Sequence, residues 1–329
     1  MPLEPIFIKA TSLSDAWFQT LFKCVEVGRE FKIDKGSFEG QKRLEFDHIT
    51  VHITHPGAMP LLPKVNPALG FPDPVEEGYL DDYLPYLMTG EEKKGEAYTY
   101  GQRICRADAD YIFRNIIHNG FTIKELETLS SNIQWYDEES EINCINQMEM
   151  MIWTYKNKGY RNNQMILQVG QPSDMVLLDP PCLRHIDTRI QNNLEKEKIN
   201  LIALYRKEVE DDFSKAKELS LTDLKHDISN KLLSQYLSWE DVKKQLKACE
   251  VPELHFLPYF RSWDLFGGFP ANLAAIEMMK QYCAAEIGVG NGEIIASSKG
   301  LHIYDYVFEI AEAIRGRKME EFRDLGVAV

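Results

Sequence analysis

The sequence predicts an α/β fold of the α+β kind, a large mixed sheet packed by helices, and three observations predict it. Short segments alternate apolar and polar residues with the period of a half-buried strand: in "DHITVHIT", Ile49, Val51 and Ile53 alternate with His48, Thr50, His52 and Thr54. Other segments space their apolar residues as a helix does, as with Trp17, Phe18, Leu21, Phe22 and Val25. At 271–287, "ANLAAIEMMKQYCAAEI" is small or aliphatic nearly all round, the composition of a helix buried on most sides. With 329 residues and 44% hydrophobic content, the chain can bury such a core.

In chain order, Ser14 is the expected cap of the first helix. A strand follows at 46–54. Six prolines in 56–74 cannot continue a helix and predict an ordered loop or a linker. "VEEGYLDDYLPYLMTG" returns to a short helical pattern interrupted at Pro85, and 98–104 to strand-like alternation. Helices are expected at 104–135 and 138–157, and strands at 163–170 and 183–191. The segment 193–252 is charged, lysine-rich and helical in period, which marks it as an insertion into a single domain spanning 1–329. Strands at 254–260 and 293–297 flank the long helix, which ends at Gly288, and "YDYVFEIAEAIRG" supplies a last helix.

A formal net charge of −14 opposes a phosphodiester backbone, so no nucleic-acid partner is expected. No apolar run reaches the roughly 18 residues of a membrane span, and the N-terminus lacks a signal-peptide pattern; a cytoplasmic protein is the expectation. The six cysteines form no C-x-x-C pair, which argues for free thiols and against a structural zinc site. His48 and His52 share a strand face without a fitting third ligand, and no metal is assigned.

Three constellations carry chemistry. Cys182 follows Pro180 and Pro181, which restrict the backbone ahead of a thiol. In "RSWDLFGGFPAN", 261–272, an arginine and a hydroxyl beside a Gly-Gly turn have the physics of an anion cradle. His302 and Tyr304 alternate on one extended stretch and so point the same way.

In this order the motifs resemble the thymidylate synthase family, with its P-C, R-S-x-D-x-x-x-G-x-P-x-N and H-x-Y motifs, loosely over 43–192 and closely over 253–329. "YTYGQR" at 98–103 looks like the family's Y-G-x-x-R segment, and "GVAV" like its closing tail. Leu183 after the cysteine, with "RSWDLFGGFPANLA", is most similar to the archaeal-type branch.

The resemblance implies a thymidylate synthase-like sheet, a homodimer, and one-carbon transfer from 5,10-methylene-tetrahydrofolate to carbon 5 of a pyrimidine nucleoside monophosphate, dUMP by default. Cys182 would be the nucleophile at carbon 6, its pKa lowered by Arg261. Arg261 and Ser262 would bind phosphate, Asn272 the pyrimidine edge with Asp264 near the base, and His302 and Tyr304 the sugar. Tyr100 and Asp82 complete the catalytic set, and Arg43 is the expected early phosphate ligand.

Departures from the family pattern are also legible. Asn163-Gln164 stand where an arginine pair is usual, with Arg161 and Arg184 as substitutes. The usual catalytic glutamate has no clear counterpart, Asp82 standing in line with it and Glu76 and Glu77 nearby. The tryptophan-bearing segment that shields the folate is cut down to "EEKKGEA", which admits a hydroxymethylase as the alternative chemistry. A non-catalytic nucleotide-binding relative is the alternative of a different class.

Overall fold

Strands and helices form where one face of the chain can be buried, and the caps decide where they start. The computed structural model describes residues 2–34, 38–110, 129–209, 214–235 and 237–316. The chain divides into two compact units, one made of 1–189, 255–287 and 291–329 and the other of 190–254 with 288–290.

The first unit opens with β1 (Pro5–Ala10), a strand whose short pattern the sequence reading missed, and α1 (Leu13–Val27). Ser12, not Ser14, caps α1: its Oγ accepts from the Asp15 amide at 3.2 Å while Asp15 Oδ2 accepts from the Thr11 amide at 2.8 Å. Ser14 lies inside the first turn and donates to the Pro60 carbonyl. Next come β2 (Arg29–Lys32), β3 (Lys42–Glu45) and β4 (His48–Ile53). The polar face of β4 is occupied structurally, with His52 paired to Glu293 at 2.8 Å.

Helix α2 (Tyr79–Met88) runs through Pro85 without a break, and α3 (Tyr100–Cys105) replaces the strand expected at 98–104. Two contacts that the local pattern conceals decide this. Thr99 Oγ1 accepts from the Gln102 amide at 2.8 Å, and Gly101 lets the backbone press against the carbonyls of Tyr86 and Thr89, where a Cβ would stand 2.3 Å from either oxygen.

β5 (Ala107–Asp108), β6 (Gln134–Asp137) and β7 (Ile142–Ile145) form a small sheet in the order β5-β7-β6, so a hairpin occupies ground expected to be helical. The rest of the first expected helix, 111–128, lies outside the described residues. Its successor α4 (Gln147–Lys158) starts nine residues later than expected, because Asn146 Oδ1 accepts from the amides of both Met148 and Glu149 at 3.1 Å and fixes the cap there.

β8 (Ile166–Gln168) and β9 (Leu183–Asn192) lie where expected. The second unit is helical: α5 (Leu194–Glu208), α6 (Ser214–Glu218), α7 (Leu221–Ser234) and α8 (Trp239–Lys247). It has its own core of Leu201, Tyr205, Leu224, Ile228, Leu232 and Val242. Ser220 and Ser238 cap α7 and α8 through the amides of Asp223 and Asp241.

The chain returns through β10 (Pro252–Phe260) and β11 (Trp263–Asp264), then α9 (Gly268–Ile287), β12 (Gly290–Ser298), β13 (Leu301–Tyr304) and α10 (Phe308–Gly316). The large sheet is mixed, in the order β1-β4-β12-β10-β9-β8, with β1 parallel to β4 and β12 antiparallel to it. A second sheet runs β11-β13-β3-β2. Buried Ile49, Val51, Phe256, Phe260, Ile294 and Ala296 come from alternate positions of β4, β10 and β12. Helix α9 packs on α1, α2 and α4 and is buried almost all round. Its polar exceptions, Lys280 and Glu277, are fully buried and pair with each other at 3.1 Å, and Lys280 donates to the Gly292 carbonyl.

The two serines of α1 can be separated by experiment. Ser12→Ala should cost about 1 kcal/mol in urea denaturation and Ser14→Ala no more than about half that, because only the first leaves a helix amide without its cap. Equal losses would place the cap at Ser14.

Candidate active site

The site begins at the loop before β9. Pro180 and Pro181 have no N–H, so their backbone contributes only carbonyls, and both carbonyls accept from one guanidinium: Arg261 Nη2 reaches Pro180 O at 2.5 Å and Nε reaches Pro181 O at 3.2 Å. The Arg261 amide donates to the Cys182 carbonyl at 2.8 Å. Arg261 thus clamps the loop on both sides of the thiol, with Asp179 Oδ1 at 3.4 Å from Nη2.

Cys182 is half-buried among free cysteines that are otherwise all buried. Burial pushes its thiol up; Arg261 and Arg184 oppose this and Asp179 adds to it. The lowered pKa expected from Arg261 is therefore corrected. The arginine spends its donors on carbonyls and sits beside a carboxylate, so its charge does not outweigh desolvation. Ser262 follows in the bend between β10 and β11.

Tyr100, on α3, accepts a hydrogen bond from the Leu183 amide at 3.3 Å, which places its phenol one residue from the thiol. Burial holds its pKa well above the ordinary value, with Cys182 and Tyr83 adding to the effect. Tyr98 donates to the Asp179 carbonyl at 3.3 Å, and burial lifts its phenol to about 12. From below, Asp174, 1% exposed, accepts from Arg103 at 3.0 Å and Arg184 at 3.1 Å. Burial would raise the Asp174 carboxyl, but the Gln171 amide and the two arginines hold it below its ordinary value.

The sugar-side candidates lie on β13 and β3. His302 and Tyr304 face Glu45 and Arg43 across the ladder. His302 is 2% exposed and bonded through Nδ1 to the Gly300 carbonyl at 2.8 Å. A carbonyl can only accept, so Nδ1 carries the proton and Nε2 presents a lone pair; Nε2 has no hydrogen-bond partner among the described residues. Burial lowers the His302 pKa from 6.5, the Gly300 bond opposes this and Arg43 adds to it. Tyr304 stacks between Phe38 at 4.4 Å and Tyr306 at 5.7 Å. Burial raises its phenol to about 12, and Cys182 is near enough to contribute. Arg43 Nε lies 2.8 Å from Glu45 Oε2.

Asp264 anchors the start of α9. Its carboxylate accepts from the amides of Phe266 at 3.2 Å, Gly267 at 2.9 Å and Gly268 at 2.8 Å, so it is committed to the turn. The amides of Trp263 and Leu265 donate to Gly300 and His302 on β13, which turns the Asp264 amide between them to the opposite side. Asn272, one turn into α9, accepts from Trp263 Nε1 at 2.9 Å and donates to Tyr83 Oη at 2.7 Å.

Tyr83 is the residue that sequence reasoning missed. Asp82, expected here, is exposed on α2, as are Glu76 and Glu77, and its neighbour Tyr83 turns inward to Asn272. Arg161, Asn163 and Gln164 are exposed, whereas Arg184 is drawn in toward the cysteine loop. The "GVAV" tail lies outside the described residues. A cavity of about 680 Å³ is lined by Glu91, Glu92, Gln102, Arg106 and Glu139 and includes none of the expected site residues. A smaller pocket of about 190 Å³, lined by Tyr83, Tyr86, Leu87, Tyr98, Thr99 and Tyr100, adjoins the cysteine loop.

A family model described as thymidylate synthase matches residues 220–328. This C-terminal part of the chain is similar to the thymidylate synthase family. Among similar proteins are putative thymidylate synthases of Methanosarcina mazei and Methanosarcina acetivorans, each 36% identical over 62 residues, 19% of this chain and 29% of the relative. One of Methanococcoides burtonii is 36% identical over 61 residues, 18% of this chain and 28% of the relative. The chain thus spans less than a third of the length of the thymidylate synthase relatives it matches. The matched region carries "RSWDLFGGFPAN" and "LHIY", the segments that hold Arg261, Asp264, Asn272, His302 and Tyr304.

The buried neutral imidazole has a stability consequence. The unfolded chain protonates His302 near 6.5 and the folded chain resists, so stability present above that pH falls as pH drops below it. His302→Gln should lose less stability between pH 7.5 and 5.5 than the parent chain in urea titrations. An identical loss in both would assign the acid sensitivity elsewhere.

Proposed function

We propose that the protein transfers a one-carbon unit to carbon 5 of a uridine monophosphate, dUMP by default, through a covalent Cys182 adduct at carbon 6. The observation that carries this reading is the thiol itself: half-exposed, with Arg261 bonded to the backbone on both sides of it and the Tyr100 phenol bonded to the next amide. Cys182 attacks carbon 6 as thiolate, and Arg261 and Arg184 favour the anion against burial. Asn272 addresses the base edge, His302 Nε2 accepts from a sugar hydroxyl, and Tyr304 lies beside it on the same strand face. Arg261, Ser262 and Arg43 are the proposed phosphate ligands. Tyr100 is the proposed proton-exchanging group, a role that its bond to the Leu183 amide and its raised pKa support.

The proposed one-carbon donor is 5,10-methylene-tetrahydrofolate. The pocket of Tyr83, Tyr86, Tyr98 and Tyr100 suits a flat heteroaromatic ring, since tyrosine faces offer stacking and their hydroxyls polar contacts. Bound there, the folate would supply the carbon unit at the methylene oxidation level. Hydroxymethyl transfer, quenched by water, is the second reading. It is favoured by the exposed segment Glu91–Glu96, which brings charge and no aromatic shield to the place where the family carries tryptophan.

We also propose a homodimer. Leu257, Tyr259 and Ile295 lie on the face of the large sheet opposite the one that packs the core, and a back-to-back partner would cover them. Among the described residues no helix is long and apolar enough to cross a membrane, and the acidic net charge supports a small-molecule rather than nucleic-acid substrate. Sedimentation at micromolar concentration should give a dimer, and a monomer would contradict this part of the proposal.

Cys182→Ser tests the chemistry. A hydroxyl hardly ionises at neutral pH, so tritium release from carbon 5 of labelled dUMP should fall at least a thousandfold while dUMP binding by calorimetry stays within about threefold. Full release by the serine variant would remove Cys182 from the mechanism.

A further inference from the structure

Tyr83 turns inward where Asp82 was the expected catalytic group. Trp263 is stacked on Phe260 at 3.8 Å, tilted against Phe269 at 4.7 Å, and 3% exposed, so its indole is fixed. An indole N–H can only donate, so the Asn272 oxygen must face it and the Asn272 nitrogen must face Tyr83. The Tyr83 oxygen accepts one of the two amide hydrogens. Among the described residues two donors then stand unspent side by side: the second Asn272 N–H and the Tyr83 O–H, on atoms 2.7 Å apart.

We infer that Tyr83 and Asn272 together form a two-donor cradle for the carbon 4 oxygen of a uracil ring, and that Tyr83 is a specificity-determining residue for this base; the inference rests on the pyrimidine reading above. When the Cys182 sulfur bonds to carbon 6, the C5–C6 π pair moves into the C4–C5 bond and the carbonyl pair moves onto the carbon 4 oxygen. No proton or leaving group departs in that step. Two preorganised donors are worth most to the oxygen once it carries this charge. Cytosine presents an amino group at the same place, donor against two donors. The Tyr83 pKa is raised by burial, which keeps the phenol a donor at neutral pH.

Tyr83→Phe keeps the ring stacked on Tyr79 and removes only the hydroxyl. With the full chain, kcat for tritium release from dUMP should fall roughly 10- to 1000-fold with KM within about threefold, and the dUMP over dCMP preference should narrow at least tenfold. A fluorinated tyrosine at position 83, which keeps the shape but ionises at lower pH, should move the alkaline limb of kcat downward. An unchanged base preference in the phenylalanine variant, or an unmoved alkaline limb with the fluorinated residue, overturns the inference. If the parent chain releases no tritium, the pyrimidine reading fails and takes the inference with it; release by the parent with an unaffected variant overturns the inference alone.

Discussion

One guanidinium holds the site together. Arg261 closes β10, and from that strand end it donates to two successive carbonyls that proline makes available by having no N–H of its own. Neither half of this clamp works alone. A non-proline residue at 180 or 181 would relax the backbone that aims the carbonyls, and a lysine at 261 would supply a point charge instead of a fork that spans both. The thiol of Cys182 gains its position from this clamp more than its ionisation, because burial wins over the two nearby arginines.

Around the clamp, each polar side chain near the thiol is fixed from behind. Asp174 is gripped by Arg103 and Arg184, Asp264 is consumed by three amides of the turn into α9, and Asn272 is oriented by a stacked indole. Removing Asp174 would leave the buried Arg103 without its carboxylate, at a cost of about 3–5 kcal/mol. His302 is the exception, since its Nδ1 is tied down while its buried Nε2 has a lone pair and no donor to it among the described residues. Buried polar atoms are rarely left so without a function.

The sequence revealed what depends on burial alone and concealed what depends on contacts. β4, β10 and β12 are readable because one face of each is covered, which writes period two into the chain. The same rule misleads at 98–104, where Tyr98, Thr99 and Tyr100 imitate alternation while a threonine cap and the tight seat of Gly101 make a helix. Asp82 and Tyr83 differ by one position, about 100° around a helix, and only the packing of α2 on α9 decides which points inward. The Tyr83–Asn272 bond spans 189 residues of sequence, and no local pattern announces it. The cysteine, the arginine-serine turn and the histidine-tyrosine strand could be read because their residue types are tied to chemistry and not to register.

The central claim is that Cys182 forms a covalent bond to the pyrimidine, and it can be tested directly. The full-length protein would be incubated with 5-fluoro-dUMP and methylene-tetrahydrofolate, acid-quenched and digested, since fluorine at carbon 5 cannot leave as a proton does and the adduct should persist. Mass spectrometry should then find the combined mass of the nucleotide and methylene-tetrahydrofolate on the peptide that contains Cys182 and on no other cysteine. An adduct at a different cysteine, or none under conditions where the protein exchanges the carbon 5 hydrogen of dUMP, would contradict the account.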